Sequence, residues 1–296
     1  MIRVEKISKN FDGFQALNNL DINVKKGSIY GLIGTNGAGK TTILNHITGI
    51  LRPDSGRITI DGQPVYDNLK IKERIGYIPD DLYFLSSYTL KELSCFFKDI
   101  YPRWDQGLFE SAVSRFRLET QRKLSQFSKG MQKQAAFALI MAAHPDYLIL
   151  DEPIDGLDPI VRKLVWQLVM DDVADREMTV LVSSHNLREM EGVCDCIGII
   201  SAGSMVIERD LDDLKSDVHK IQVAYRSMPE DPYAGLNILH RERRGSVDLL
   251  IVREKKEKVE SKILDTHPAI FDMLPLSLEE IFIYELGGAD NEDILF

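Results

Sequence analysis

Long apolar runs are missing from this chain, and that absence sets the first limit on what it can be. The most apolar stretch, Ala135 to Ala143, stops at His144-Pro145-Asp146, far short of the roughly 20 residues an α-helix needs to cross a bilayer. The opening Met1-Ile2-Arg3-Val4-Glu5-Lys6 alternates like a β-strand and lacks the apolar core of a secretory signal. The chain is therefore expected to stay in the cytoplasm. Cysteine is scarce: Cys95, Cys194 and Cys196 are odd in number and make no disulfide framework. Cys194-Asp195-Cys196 invites a metal reading, but a structural zinc site takes four ligands and no second Cys pair or close His pair accompanies it. Inert thiols are expected. Basic charge is also short, with 36 Lys and Arg against 46 Asp and Glu, a net charge of −10 and a pI near 5.2. That balance argues against nucleic acid as the main partner, because duplex binding runs on phosphate neutralisation by a basic face. No sustained heptads are present either, which removes a long coiled coil.

What is present starts with Gly34-Thr35-Asn36-Gly37-Ala38-Gly39-Lys40-Thr41-Thr42, following the apolar, strand-like Ser28 to Ile33. Glycines let the backbone curl and aim successive N–H groups at an anion with no Cβ in the way, so the loop Gly34, Asn36, Gly37, Ala38, Gly39 forms a nest for phosphates. Lys40 to about Thr48 reads as the following helix, whose N-terminal dipole end favours the same charge. At this spacing Lys40 reaches the β- and γ-phosphates, the Thr41 hydroxyl ligates Mg²⁺, and Thr42 supports the phosphates. The expected ligand is a nucleoside triphosphate.

A second motif, Tyr147-Leu148-Ile149-Leu150-Asp151-Glu152, is an apolar strand ending in two acids. Asp151 is placed to partner Mg²⁺. Glu152, next along, is the candidate general base for an attacking water, a role worth about 10²–10⁴ in rate.

Three further motifs decide the class: Phe127-Ser128-Lys129-Gly130-Met131-Gln132, Asp155-Gly156-Leu157-Asp158-Pro159 and Ser183-Ser184-His185. Together with the first two they resemble the ATP-binding subunit of an ABC transporter, over about Ile2 to Ile207. The resemblance implies a head-to-tail dimer, each ATP lying between the P-loop of one subunit and the signature motif of the other. Ser128 also reads as the N-cap of Lys129 to Ala143, which makes a second anion site at a helix start. The resemblance places Ser128 and Gly130 against the γ-phosphate across the dimer. It has His185 contact the γ-phosphate and hold the attacking water and Glu152 in register, and gives Asp158 the task of coupling the two sites. Phe11, in Asn10-Phe11-Asp12-Gly13-Phe14, stands where the family stacks an aromatic ring on adenine. Phe14 is the alternative ring.

Two positions depart from the family pattern. In Ile75-Gly76-Tyr77-Ile78-Pro79-Asp80 the family's usual Gln is Asp80. A carboxylate keeps an oxygen for the metal but cannot donate an amide's hydrogen bond, so metal contact is expected and water positioning is not. The common Ser-Gly-Gly-Gln is Ser128-Lys129-Gly130-Met131 here. Ser128 and Gly130 are kept, and Lys129 adds positive charge, so an active composite site is expected.

At 296 residues and 44% apolar content the chain has ample core for one large domain and an extra piece. The expected class is α/β, a P-loop NTPase core with a β-subdomain, a helical subdomain at about 81–143 and a small α+β C-terminal accessory domain, divided as 1–209 and 210–296. Leu90, Leu93, Phe96 and Phe97 are spaced as the apolar stripe of an amphipathic helix. Tyr83 to Tyr88 offers aromatic material for a groove that receives a membrane partner, or else local core. His219 to Tyr225 and Val247 to Val252 read as strands, Glu254 to Leu264 and Ser277 to Tyr284 as helices, and Gly287 to Asp293 as a weakly ordered tail. Lys255-Lys256-Glu257-Lys258 reads as a solvated helix face.

The expectation is an ATP-hydrolysing, Mg²⁺-dependent subunit at the cytoplasmic face of the membrane, paired with a copy of itself or a close paralogue. It would drive separate transmembrane permease subunits and is similar to bacterial exporter ATPases, including a YtrB-like subgroup. The rival reading is a soluble ABC-type factor remodelling ribosomes or DNA. Such relatives generally carry two cassettes or a coiled-coil insertion, and this chain has one P-loop.

Overall fold

Two Asp-Gly turns shape the N-terminal sheet. Strand β1 (Ile2–Phe11) folds back on β2 (Phe14–Val24) through Asp12-Gly13, both with positive φ (46° and 90°), the backbone that a tight hairpin demands and that Asp-Gly supplies. After β3 (Ile29–Ile33) and α1 (Lys40–Ile47), β4 (Ser55–Ile60) turns through Asp61-Gly62, again at positive φ, into β5 (Gln63–Pro64). These strands form an antiparallel sheet in the order β2-β1-β4-β5. The computed structural model describes residues 1–83 and 87–285.

A short α2 (Leu69–Lys72) leads to β6 (Ile75–Ile78) and then to a helical stretch of α3 (Leu90–Ile100), α4 (Gln106–Phe116) and α5 (Lys129–Ala142). Helix α3 starts at a capping box: Thr89 Oγ1 accepts from Glu92 N at 3.2 Å and Glu92 Oε2 accepts from Thr89 N at 2.8 Å. Its buried stripe is Leu90 and Leu93 with Phe97 half-buried, while Phe96 is 50% exposed. Phe96 therefore does not belong to the stripe expected of it, because one residue's rotation carries it off the i, i+3, i+7 face. Of the Tyr83 to Tyr88 run, Phe84 to Ser86 lie outside the described residues, and Tyr83 is 97% exposed.

The chain then alternates β7 (Tyr147–Asp151), α6 (Pro159–Arg176), β8 (Thr179–Ser184), α7 (Leu187–Met190), β9 (Cys196–Ser201) and β10 (Ser204–Asp210). The central sheet runs β10-β9-β3-β8-β7-β6, with parallel pairing from β9 through to β6. Every residue of β3, β7 and β8 is buried, as expected of parallel strands covered on both faces. Cys194 is buried, which pushes its thiol well above the usual range and makes it a poor nucleophile.

The chain sorts into two compact units, Met1–His185 with Gly192–Glu208, and Asn186–Glu191 with Arg209–Phe296. The second unit contains α8 (Leu211–Asp217), β11 (Val218–Ala224), β12 (Ile238–Arg244), β13 (Val247–Arg253), α9 (Lys256–Asp265), β14 (Ile270–Leu274) and α10 (Leu278–Glu285). Its strands form an antiparallel sheet, β12-β13-β11-β14. Helix α9 buries Val259 and Ile263 with Ile221, Val223, Leu250 and Val252 of the sheet, while Lys255 to Lys258 are exposed. The sequence reading missed β12, β14 and α8. The tail Gly287 to Asp293 lies outside the described residues.

Candidate nucleotide site

The order β3-β8-β7-β6 sets the carboxyl ends of these strands side by side, the edge where open parallel sheets place their ligands. The loop 34–39 follows β3, His185 follows β8, Asp151 ends β7 with Glu152 next, and Asp80 lies two residues beyond β6. Residues far apart in sequence therefore meet because the strand order brings them together.

Glycine is required twice in the loop. Gly39 has φ 107°, and a Cβ there would lie 2.9 Å from the Ala16 carbonyl; at Gly34 it would lie 2.5 Å from the Ile200 carbonyl. Gly39 is also the N-cap of α1, and no side chain accepts from the helix's first N–H groups there. Those amides remain available to an anion. The adjoining cleft, about 300 Å³, is lined by Phe11, Phe14, Thr35, Asn36, Gly37, Gly39, Lys40, Thr41, Thr42, Asp80 and Glu152, with Ala16. Gly34 and Ala38 do not line it; they fix the loop from behind, Ala38 through a bond from its N to the Thr35 carbonyl at 3.1 Å.

Lys40 is 6% exposed. Its Nζ donates to Gly34 O at 2.6 Å and Thr35 O at 3.2 Å and lies 3.2 Å from Glu152 Oε1. That last contact has ion-pair reach without hydrogen-bond alignment, since Glu152 Oε1 has no hydrogen-bond partner. Asp151 is buried, with Oδ1 accepting from Ser183 Oγ at 2.5 Å and Oδ2 unpartnered. A buried carboxylate oxygen left open at the end of β7, together with the exposed Thr41 hydroxyl and the Asp80 carboxylate that line the cleft, supplies hard-oxygen donors of the kind Mg²⁺ takes. The field here is acidic: burial pushes the Tyr77 phenol up, and the negative charges of Asp151 and Asp80 push it further.

Glu152 has φ 44°, a left-handed backbone that a residue with a side chain rarely adopts. Its Oε2 accepts from His185 N at 3.3 Å and faces His185 Nδ1 at 3.0 Å. Glu152, Asp155 and His185 bring possible ligand atoms within 4.8 Å of one another. The Lys40 ammonium already supplies positive charge at that carboxylate, which disfavours a cation there.

Asp151 and His185 do not line this cleft but adjoin Glu152, which does, and Ser128, Gly130 and Asp158 also stand outside it. Ser128 is exposed and caps α5, its Oγ accepting from Met131 N at 3.3 Å. Gly130 lies nearby in the first turn of α5, close to Leu157 and Gly156. Asp158 is exposed and caps α6, Oδ1 accepting from Ile160 N at 3.0 Å and Val161 N at 3.1 Å.

Two residues have parts in the site that the sequence did not assign them: Ser183, quoted only as the start of the motif ending in His185, and Lys133. Ser183 bonds Asp151 and also accepts from Glu152 N at 3.1 Å. Lys133, on α5, donates to the Glu152 carbonyl at 2.8 Å. The signals were slight: a hydroxyl in an apolar strand, and one Lys entering a run of small and apolar residues.

The ABC transporter family model matches residues 17–155. The ATP-binding protein YtrB of Bacillus subtilis (strain 168) is 35% identical over 97% of this chain and 99% of its own length. The chain belongs to the ABC transporter ATP-binding proteins. BcrA of Bacillus licheniformis, a bacitracin transport ATP-binding protein, is 35% identical over 73% of this chain and 71% of its own length. A solved ATP-binding subunit of an ABC transporter superposes with a TM-score of 0.68 at 27% identity, covering 73% of this chain and 92% of that one. The first unit is thus an ABC ATPase, with a P-loop fold that binds nucleotide and hydrolyses ATP. Among the described residues no helix is long and apolar enough to cross a membrane.

Proposed function

We propose that two copies of this ATPase, or this chain and a close paralogue, close around two Mg²⁺–ATP and drive separate transmembrane permease subunits of an exporter. One observation carries the reading: within one chain the P-loop, Lys40 and Glu152 line one cleft, with His185 on the Glu152 carboxylate and Asp151 joined to Glu152 through Ser183, while the second anion-binding helix start, at Ser128, stands exposed and outside that cleft. A second subunit's Ser128 and Gly130 complete the site. Likeness to a bacitracin transport protein supports a transporter part over a soluble remodelling factor, and the absence of a spanning helix among the described residues suits a subunit docked on a membrane partner.

The residues divide the work. The loop amides and Lys40 hold the β- and γ-phosphates, and Phe11 stacks on the base. Thr41, Asp80 and Asp151 are the oxygens for Mg²⁺, which when bound neutralises charge on the phosphates. Glu152 takes the proton of the attacking water, and His185 fixes the carboxylate through the 3.0 Å contact. Loss of the γ-phosphate removes what bridges the subunits, so the pair opens.

The test is Glu152→Gln, which keeps shape and removes the base. ATP binding should survive, turnover should fall by about 10²-fold or more, and ATP with Mg²⁺ should convert the variant from monomer to dimer in analytical ultracentrifugation. A variant that stays monomeric with ATP, Mg²⁺ and the co-purified membrane partner present would overturn the proposal.

A further inference from the structure

Lys133 has two partners and both belong to the nucleotide site. It is 7% exposed in α5, the helix capped by Ser128, and its Nζ donates to Glu152 O at 2.8 Å while lying 3.4 Å from Asp80 Oδ1. A buried ammonium is costly unless paired and hydrogen-bonded; here the Asp80 carboxylate supplies the pairing charge and the Glu152 carbonyl takes the bond. Glu152 is the residue with φ 44°, and an outlier of that kind persists only when its surroundings hold it. On the side-chain side the hold comes from His185, and on the main-chain side from Ser183 Oγ at the N–H and, at the carbonyl, from Lys133 at 2.8 Å and more weakly from Asp155 N at 3.4 Å.

Asp80 gives the arrangement a second property. It borders both the nucleotide cleft and a neighbouring cleft of about 350 Å³ that Lys133 lines together with Lys129, Gln132 and Asp155. With its side chain 53% exposed, Asp80 is the movable partner, whereas Lys133, 9% exposed, is the fixed one. A charge engaging Asp80 from the nucleotide side therefore alters the pairing of the ammonium that holds the Glu152 backbone.

We propose that Lys133 is a positioning residue for ATP hydrolysis: it holds the Glu152 main chain in its left-handed conformation and links that conformation to the state of Asp80. This rests on the role of Glu152 as general base. A displacement of about 1 Å at a reacting group can cost about 10²-fold in rate, so the effect belongs in kcat. Ground-state nucleotide contacts, made by the P-loop, should change little.

The test compares Lys133→Met, Lys133→Arg, Asp80→Asn and the Asp80→Asn/Lys133→Met double variant in steady-state ATPase and nucleotide-binding assays. Lys133→Met should lose about 10- to 100-fold in kcat with KM and ATP affinity within about threefold of wild type, and Lys133→Arg, which keeps charge and donors, should recover most of the loss. At saturating Mg²⁺, which offsets the loss of Asp80 as a metal oxygen, the double variant should be no slower than Lys133→Met alone, because both substitutions break one linkage. Should Lys133→Met fail to fold, Lys133→Gln, whose amide still donates, takes its place in the same comparison with a smaller expected loss. Unchanged kcat in the Lys133 variant, or losses that multiply in the double variant, would overturn the proposal. Glu152→Gln run alongside separates the failures: turnover surviving there removes the base assignment and this proposal with it. Turnover lost there but kept in the Lys133 variant removes the Lys133 proposal alone.

Discussion

His185 Nδ1 lies 3.0 Å from Glu152 Oε2, while the other oxygen of that carboxylate lies 3.2 Å from Lys40 Nζ. One carboxylate thus faces the P-loop lysine and a histidine from a different strand, so its direction is set from two sides. On the proposed roles, removing His185 leaves the loop amides and Lys40 to hold the nucleotide and disorients the Glu152 carboxylate. His185→Ala should lower kcat by about 10²-fold or more with ATP affinity within a few-fold of wild type. Single-turnover hydrolysis beside equilibrium nucleotide binding checks the split, and an equal loss in both would count against it.

Asp151 Oδ2 is buried with no hydrogen-bond partner, while Oδ1 is tied to Ser183. The open oxygen is the one a cation would take. Asp151→Asn replaces one anionic donor, so Mg²⁺ dependence should shift before anything else: the Mg²⁺ concentration at half-maximal ATPase should rise by about tenfold or more, with ATP binding in excess chelator unchanged. Ser183→Ala should raise the same midpoint by a smaller factor, since it frees Oδ1 without removing charge. A Mg²⁺ titration of the ATPase rate measures both.

Phe11 and Phe14 both line the cleft, and they differ in support. Phe11 is 42% exposed with Lys9 Nζ 5.3 Å from its ring centroid, whereas Phe14 is 65% exposed. A ring held by its neighbours gives up less freedom on stacking. Loss of one base-stacking ring costs about 1–3 kcal/mol, so Phe11→Ala should weaken ATP binding by about 10-fold and Phe14→Ala by less. Fluorescence titration with a labelled ATP analogue ranks them, and the reverse order would move the adenine to Phe14.

The parts of this site that sequence shows are those whose chemistry is local. Gly39 before Lys40 announces a turn at a helix start, and Ser128 before Lys129 announces the N-cap of α5, because neighbours in sequence settle both. Ser183 and Lys133 were silent for the opposite reason. Ser183 matters only because β7 and β8 pair with Asp151 opposite it, and Lys133 only because α5, packed against β6, brings it to the Glu152 carbonyl, so each role comes from packing between distant segments. The same holds in the second unit. Strand β12, Ile238–Arg244, carries His, Glu and three Arg in seven residues, and its pairing to β13 rather than its composition makes it a strand. Phe96 shows the limit of periodicity, which gives a helix's period more securely than its phase.

Asp61 anchors the strand that delivers Asp151 to the site, and acid should release it. Its carboxylate accepts from Tyr147 Oη at 2.6 Å, at the start of β7, and from Arg74 Nη2 at 2.7 Å, while Arg74 Nε also holds Asp146 at 2.6 Å. Burial pushes the Asp61 carboxyl up, but the bonds from Tyr147, the Met1 amino group at 2.9 Å and Arg74 outweigh it and hold the group well below the usual carboxylate range. A depressed folded-state pKa means the unfolded chain binds the proton more readily. The stabilisation is therefore complete above the ordinary Asp value of about 4 and is lost as pH falls below it toward the folded value. The side chain is 36% exposed, so solvent screening limits its worth, and Asp61→Asn should cost about 1 kcal/mol at pH 7. Urea unfolding at pH 7, 4 and 3 should show that gap shrinking as the unfolded wild-type chain takes up the proton that the folded one still refuses. A gap that stays constant down to pH 3 would mean that Asp61 contributes through packing or neutral hydrogen bonds and not through its charge.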